Sequence, residues 1–226
     1  YREISKLLNT YALALPKLIS TKDGRLRANF HQAITATGRL SSSDPNLQNI
    51  PIRTEMGRKL RQAFVPEQGY KLISFDYSQI ELRIIASLAH EDSMIANFLA
   101  GHDIHAVTAA KINGIPLEDV TEKQRRAAKA VNFGILYGQG PHGLSRATGL
   151  SYGAAKDFIE QYFTIYPQIH KYINELLIKA RQDGFVTTFW GRRRYLPDLL
   201  SPNPTLRRAA ERMAINFPVQ GTAADI

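Results

Sequence analysis

Cysteine is absent from the chain of 226 residues. Its absence excludes disulfide-stapled scaffolds, thiol enzymes and zinc sites built on cysteine. A long hydrophobic run is missing too: the longest stretch without a formal charge, Ala130–Ser145, is interrupted by glycines and a proline, so we expect no membrane span. The first residues lead into an amphipathic pattern, which is unlike a signal peptide. We therefore expect a globular protein of one large or two smaller domains.

Acidic residues are scarce relative to basic ones, with 20 against 29, so the net charge is +9. The excess lies in three windows, Arg53–Arg61, Glu122–Lys129 and Arg192–Arg212, which carry three, three and four surplus positive charges. The rest of the chain is therefore close to neutral. A charge concentrated in this way is typical of proteins that bind a polyphosphate. Solvated helix faces that carry lysine and arginine explain it equally well.

Hydrophobic periodicity predicts a small early sheet followed by a mostly helical module. Residues 4–19 have helical spacing, residues 27–34 alternate as a short strand does, and residues 41–46 are polar and irregular. A further strand is predicted at Tyr70–Phe75, and helical patterns dominate from Ser78 onward.

Asp76 follows the predicted strand and precedes a predicted helix. A carboxylate held at a strand end and open to solvent suits a hard cation such as Mg²⁺, which prefers oxygen ligands. An aspartate in this position is more often a turn residue or a cap, so the interpretation needs support from elsewhere. Ser78 and Glu81 have the spacing of a capping box, which accounts for Glu81 without any further function.

Four residues at intervals of four form what we call the basic–aromatic stripe: Arg125, Lys129, Phe133 and Tyr137. Thr121 and Gln124 have capping-box spacing, so we predict a helix that starts near Thr121, continues to about Leu136 and is ended by Gly138. Each interval of four advances a helix by about 6 Å and rotates it by about 40°, so the stripe spans roughly 18 Å along one face.

The order of residues in the stripe matches the parts of a nucleotide. Two cations at one end suit a triphosphate, and two rings at the other end suit a base or sugar. Residues on the far side are expected to pack onto the body of the protein: Ala127, Ala128, Val131 and Ile135. The alternative is an amphipathic helix with a cationic edge and core aromatics. This is the more common arrangement for a helix in general, but two ordered pairs of cations and rings on one stripe are less expected of it.

Long blocks in a fixed order extend these local patterns across the whole chain. They are Thr35–Pro51, Asp76–Arg83, Arg125–Gly138, and Arg207–Asn216 followed by Gln220–Asp225. With these blocks the chain resembles DNA polymerases of family A, the bacterial DNA polymerase I type. The resemblance implies an α+β right-hand fold with a small antiparallel palm sheet, helical fingers and a thumb. By analogy, residues 1–20 lead from the thumb, 21–90 form the first part of the palm, 91–205 the fingers, and 206–226 a return helix into the palm.

The resemblance also implies roles for individual residues in template-directed DNA synthesis. Asp76 would ligate two catalytic Mg²⁺ ions with help from the backbone carbonyl of Tyr77. One ion activates the primer 3′-hydroxyl and the other stabilises the departing pyrophosphate. The incoming dNTP would contact Arg125, Lys129, Phe133, Tyr137, His105, Glu81 and Gln79, with Lys129 as candidate proton donor to pyrophosphate, Tyr137 at the templating position until the fingers close, and Glu81 blocking a ribose 2′-hydroxyl.

A second set of residues would hold primer-template DNA. Arg212, Asn216 and Gln220 are again four residues apart, and the resemblance adds Arg39 on the primer side. Donors in the minor groove meet an acceptor in every base pair, so they can check geometry without reading sequence. The alternative for Asn216 and Gln220 is that they cap or solvate the end of a helix made uncertain by Pro218.

One departure from the family pattern limits the expected activity. The second catalytic carboxylate of the family lies in a His-Asp-Glu segment beyond Gln220–Asp225, and neither Asp103 nor Asp225 matches it. The chain also lacks an initial methionine. We therefore expect a monomeric fragment of a cytoplasmic, nucleoid-associated bacterial enzyme that cannot polymerise alone. The alternatives are a non-catalytic nucleic-acid-binding module and a single-subunit RNA polymerase relative, and Glu81 disfavours the second.

Overall fold

The computed structural model describes residues 1–52 and 54–226, with the backbone alone for Glu3. Arg53, the first residue of the first basic window, therefore lies outside the described residues. The chain divides into two compact units, Tyr1–Asp76 and Tyr77–Ile226. Within the described residues, no helix combines the length and the apolar character needed to cross a membrane.

The first unit contains short elements only. They are α1 (Arg2–Lys6), a π-helical segment (Leu7–Ala12), a 3-10 helix (Leu15–Leu18), β1 (Asn29–His31), β2 (Ser41–Ser43) and α2 (Glu55–Arg61). The helical spacing of residues 4–19 is thus realised as three short helical segments rather than as one α-helix. Pro16 lies in the first turn of the 3-10 helix, where its missing N–H is tolerated.

The early sheet is the antiparallel pair β1–β2, with Phe30 opposite Ser42. The prediction that residues 41–46 are irregular is therefore wrong for Ser41–Ser43. Serine has little intrinsic preference for strands, so its tertiary partner decides. The Ser42 side chain is buried, and the Ser43 hydroxyl lies 2.8 Å from His31 Nε2 on the opposite strand.

The predicted strand at Tyr70–Phe75 is also wrong. Residues 70–77 have no regular secondary structure and are exposed throughout. The side chain of Phe75 is 91% exposed. A strand is stable only when its backbone groups pair with a neighbour, and none of the described strands pairs with this segment. Residues with strand preference were therefore not sufficient to form the strand.

The second unit is a helical assembly with one hairpin. Its helices are α3 (Ile80–Leu88), α4 (Asp92–Leu99), α5 (Ile104–Asn113), α6 (Glu122–Leu136), α7 (Pro141–Thr148), α8 (Tyr152–Ile165), α9 (Pro167–Asp183) and α10 (Pro204–Asp225), with 3-10 turns at Leu117–Asp119 and Pro197–Leu200. Its main hydrophobic core contains side chains from each of the helices α3 to α10, among them the fully buried Leu82, Met94, Leu136 and Ile169. Each large apolar side chain in this core contributes about 1.5–3 kcal/mol through burial.

The hairpin, which the sequence patterns did not predict, consists of β3 (Phe185–Thr187) and β4 (Arg193–Tyr195). Val186 on its inner face joins a second buried cluster with residues of α9 and α10, including Ala180 and Phe217. This cluster fixes the hairpin against the long helix that carries the predicted DNA-binding residues.

Candidate functional site

Helix α6 has the start and end that its sequence predicts. Thr121 caps the helix, and the Thr121 and Gln124 side chains both complete a capping box. The last helical residue is Leu136, and Gly138 follows with a φ of +60°. A Cβ atom at Gly138 would lie 3.0 Å from the Arg212 Cα atom. The glycine therefore serves both the left-handed turn and the close approach of the end of α6 to α10.

The two faces of α6 divide as predicted. Along the basic–aromatic stripe, Lys129 and Tyr137 are exposed, while Arg125 and Phe133 are half-buried. On the opposite side, Ala128, Val131 and Ile135 are buried. Ala127 is half-buried, so it fulfils the packing prediction only in part.

Asp103 holds the cationic end of the stripe. Its Oδ2 atom accepts a hydrogen bond from Arg125 Nε at 2.8 Å and forms an ion pair with Arg125 Nη2, also at 2.8 Å. Its Oδ1 atom caps α5 by accepting from the backbone N–H groups of His105 and Ala106. Burial acts to raise the pKa of Asp103, but these hydrogen bonds from Arg125 and the backbone outweigh it, so the pKa is lowered. Asp103 thus orients the guanidinium that the sequence assigned to a triphosphate.

The aromatic end of the stripe is joined to α3. Tyr137 donates a hydrogen bond to the Glu81 carboxylate at 3.1 Å, and the rings of Phe133 and Tyr137 stack with centroids 6.4 Å apart. Glu81 itself is only 6% exposed. The structure therefore brings together three residues that the sequence assigned to one nucleotide.

The capping box predicted for Ser78 and Glu81 is wrong. Helix α3 begins at Ile80, and its N-cap Gln79 has a left-handed conformation without a side-chain cap. The Ser78 carbonyl instead accepts a hydrogen bond from Arg83 Nε at 3.1 Å. Glu81 lies in the first turn of α3, and its carboxylate accepts the hydrogen bond from Tyr137.

His105 lies behind the stripe and is 2% exposed. Its ring centroid is 5.7 Å from that of Phe133. Burial is the main cause that lowers its pKa to about 4; the positive charges of Lys129 and Arg125 act in the same direction, and Asp103 opposes them. The imidazole is therefore neutral at physiological pH.

Helix α10 presents the predicted DNA-binding row. The helix continues through Pro218 to Asp225, which settles the helix end that the sequence left open. Arg212 is exposed, and Asn216 and Gln220 are half-buried. The Asn216 amide nitrogen is occluded and has no hydrogen-bond partner among the described residues. Because Arg212 lies beside Gly138, this row begins where the basic–aromatic stripe ends.

The residues predicted to bind the metal ion and the primer precede α3 in the sequence. Asp76 and Arg39 belong to the first unit and are exposed; Tyr77 begins the second unit and is 69% exposed. The prediction that Asp76 faces the stripe stays a prediction. Among the described residues, no group of three histidine, aspartate or glutamate side chains is arranged to hold a metal ion. A single carboxylate such as Asp76 is compatible with Mg²⁺ binding. This ion prefers oxygen ligands, keeps several waters and is usually bound by one or two protein carboxylates together with a phosphate.

Two residues that contact predicted site residues were not themselves predicted from the sequence to belong to the site. The sequence patterns mark Asp103 only as a carboxylate that does not match the second catalytic motif of the family, although its position just before α5 is typical of an N-cap. They do not mark Asn132, although a polar side chain on an otherwise apolar helix face is a signal for a buried hydrogen bond. The structure places the Asn132 amide 3.0 Å from His105 Nδ1.

Comparison with known proteins covers the whole chain. The family model for DNA polymerase family A matches residues 1–226. DNA polymerase I of Pseudomonas aeruginosa is 54% identical over the full chain, which covers 25% of that protein. The thermostable DNA polymerase I of Thermus aquaticus is 51% identical over the full chain, which covers 27% of it. The chain thus spans about a quarter of the length of these relatives.

A solved structure shows the same fold. The POL domain of Pol1 from M. smegmatis, in complex with DNA primer-template and dNTP, superimposes with a TM-score of 0.89 at 44% identity. The match covers 99% of this chain and 39% of that one. This likeness confirms the predicted α+β right-hand fold.

Proposed function

Because the chain belongs to DNA polymerase family A, we propose that it is the nucleotide-binding and primer-template-binding part of an enzyme for template-directed DNA synthesis. The observation that carries the proposal is the basic–aromatic stripe of α6, whose four residues lie in the predicted order, exposed or half-buried, with Glu81 joined to its aromatic end. The proposal includes the division into thumb (1–20), palm (21–90), fingers (91–205) and returning palm helix (206–226).

The cationic end of the stripe receives the triphosphate. Lys129 is exposed, and Arg125 is held by Asp103 on one edge of its guanidinium. A planar guanidinium held in this way can donate to phosphate oxygens from its remaining N–H groups. Lys129 is the candidate proton donor to the departing pyrophosphate.

The aromatic end receives the sugar and base. Phe133 lies between His105 and Tyr137, with ring centroids 5.7 and 6.4 Å away. A flat apolar surface of this kind packs against any of the four bases. Glu81, fixed by Tyr137, blocks a ribose 2′-hydroxyl and so selects deoxynucleotides.

Asp76 and the Tyr77 carbonyl hold Mg²⁺ in this proposal. When bound, these ions would activate the primer 3′-hydroxyl and stabilise the pyrophosphate. The chain's own contribution is one exposed carboxylate next to the start of α3. Arg39, Arg212 and Gln220 hold the primer-template by minor-groove donors. The amide nitrogen of Asn216, the fourth predicted residue of this set, is occluded in the structure.

Nucleotide binding by the chain is the first test. Lys129→Ala should weaken the affinity for dATP in Mg²⁺ buffer by about tenfold, since it removes one charge-assisted contact. Lys123→Ala, on the same helix but outside the stripe, is the matched control. Equal affinities of the two variants would refute the role of the stripe.

Primer extension is the second test. The 226 residues of this chain can replace the aligned segment of the P. aeruginosa enzyme, to which they align without truncation. The chimera should extend a primer with Mg²⁺, and Asp76→Ala should abolish extension while DNA affinity stays largely intact. Retained extension by Asp76→Ala would refute the metal assignment. Salt-sensitive DNA binding without dependence on nucleotide or metal would favour a non-catalytic binding module.

A further inference from the structure

Four polar side chains form a buried chain of hydrogen bonds behind the basic–aromatic stripe. They come from α5 (His105 and Thr108), from α6 (Asn132) and from the junction of α8 and α9 (Tyr166), and none is more than 2% exposed. The Asn132 amide nitrogen lies 3.0 Å from His105 Nδ1 and 3.3 Å from the Thr108 hydroxyl. The Thr108 hydroxyl also lies 2.7 Å from the Ile104 carbonyl and 3.0 Å from the Tyr166 hydroxyl.

The positions of the hydrogen atoms in this hydrogen-bond network can be assigned by counting donors. A threonine hydroxyl has one hydrogen and two lone pairs. The Ile104 carbonyl can only accept, so it takes the hydrogen of Thr108. Tyr166 must therefore donate to Thr108. Burial raises the pKa of Tyr166 to about 12, so the phenol retains its proton at neutral pH.

The same count fixes the orientation of the Asn132 amide. Thr108 has no hydrogen left, so Asn132 must present its nitrogen, and not its oxygen, to the hydroxyl. The second hydrogen of that nitrogen then points to His105 Nδ1. The Asn132 Oδ1 atom remains occluded without a partner among the described residues. The two donated bonds thus determine the orientation even though the oxygen stays unpaired.

We propose that Asn132 is a positioning residue that keeps His105 neutral, with its single ring proton on Nε2. A proton on Nδ1 would face the N–H of Asn132 at 3.0 Å, which excludes both the other tautomer and the imidazolium. The His105 Nε2 atom has no hydrogen-bond partner among the described residues. It is not among the unpartnered side-chain atoms that are fully occluded from solvent. It is therefore a fixed N–H donor that solvent can reach.

The inference deepens the proposed function and rests on it for its consequence. His105 lies beside Phe133, and its charged neighbours are Asp103 at the start of its own helix and Arg125 and Lys129 on α6. A neutral Nε2–H donor binds a phosphate oxygen without a change of protonation between pH 5 and 8. A histidine free to exchange tautomers would present a lone pair to the phosphate part of the time.

Ring-nitrogen NMR of the chain, labelled with ¹⁵N-histidine, tests the proton position directly. His105, assigned by its loss in His105→Gln, should show one Nε2–H tautomer throughout pH 5–8. In Asn132→Asp, a carboxylate replaces the donor, so Nδ1 should become protonated. Asn113→Asp is the matched control, because Asn113 lies on the same helix as His105 and donates to the Ala109 carbonyl outside the network. Its His105 signals should match those of the unchanged chain.

Affinity for dATP in Mg²⁺ buffer tests the consequence. Asn132→Asp should weaken binding by about tenfold, the equivalent of one hydrogen bond to a charged group, and Asn113→Asp should not. A proton on Nδ1 in the unchanged chain, or unchanged ring signals in Asn132→Asp, would overturn the assignment. Changed ring signals with unchanged affinity would overturn the positioning role. If the unchanged chain binds no nucleotide, the proposed function fails, and the NMR signals still decide the proton position.

Discussion

Asp103 has two separable roles, because each of its carboxylate oxygens has its own partners. Oδ1 caps α5, and Oδ2 accepts the hydrogen bond from Arg125 Nε and pairs with Arg125 Nη2. Asparagine at this position keeps an oxygen for the cap but loses the negative charge that holds Arg125. Alanine removes both. Comparison of Asp103→Asn with Asp103→Ala therefore separates the ion pair from the cap.

The expected losses of stability follow from exposure and cap chemistry. The side chains of Arg125 and Asp103 are 34% and 37% exposed, so their ion pair contributes about 0.2–1 kcal/mol. Loss of an aspartate cap to alanine costs about 0.5–2 kcal/mol. We expect Asp103→Asn to lower the free energy of unfolding by about 0.2–1 kcal/mol and Asp103→Ala to lower it by about 0.7–3 kcal/mol.

Urea unfolding followed by the fluorescence of Trp190 measures both losses. Trp190 is the single tryptophan of the chain and belongs to the same unit as Asp103. The pKa of Asp103 is lowered in the folded protein, because the hydrogen bonds from Arg125 and the backbone outweigh the effect of burial. Its stabilising effect is complete above the unfolded pKa of about 3.9 and is lost as the pH falls through the lower folded pKa.

Two results would refute this account of Asp103. Equal losses for Asp103→Asn and Asp103→Ala at neutral pH would mean that the cap contributes nothing. A stability difference between the unchanged chain and Asp103→Asn that persists below the folded pKa would mean that the charge of Asp103 is not the cause.

Three further predictions concern other parts of the structure. Gly138→Ala should lower the free energy of unfolding in urea by about 1–3 kcal/mol more than Gly149→Ala does. Both glycines have a positive φ, but of the two only Gly138 has a neighbour within 4 Å of the added Cβ atom; equal losses contradict the close approach. Leu82→Ala should cost about 2–5 kcal/mol and Leu99→Ala, at an 84% exposed position, less than about 0.5 kcal/mol; similar losses contradict the core. Glu81→Ala in the chimera should admit ribonucleotides in primer extension, and unchanged discrimination refutes the sugar gate.

Helix α6 could be predicted in detail because its information is local. Its capping box lies within four residues, its end is marked by Gly138, and its faces follow the helical period. All of these signals depend on atoms within one helix. The same is true of the row on α10, whose residues share one face even though Pro218 made the helix end uncertain.

The errors concern segments whose structure depends on a distant partner. The short, mainly apolar segment Tyr70–Phe75 resembles a strand, but it has no pairing strand among the described residues. Conversely, the polar run Ser41–Ser43 pairs with β1 against its composition. At Ser78–Glu81 the local pattern predicted a cap, and the Tyr137 hydroxyl 56 positions away competes for the carboxylate. Spacing along the sequence contains no information about such a competitor.

Asn132 shows how the helical period both reveals and conceals a site. It is the neighbour of Phe133 in sequence, but one residue rotates a helix by about 100°, so Asn132 lies on the buried face and Phe133 on the stripe. A pattern of residues at intervals of four therefore identifies the stripe, which faces the nucleotide in the proposed function. It omits Asn132, which positions His105. The sequence of the buried face of α6 resembles core because its other residues are apolar. In our proposal the Asn132 amide on this face keeps the ring proton of His105 on Nε2, beside the stripe. Both faces of this helix thus act on the same nucleotide in the proposed function, one by contact and the other through a proton.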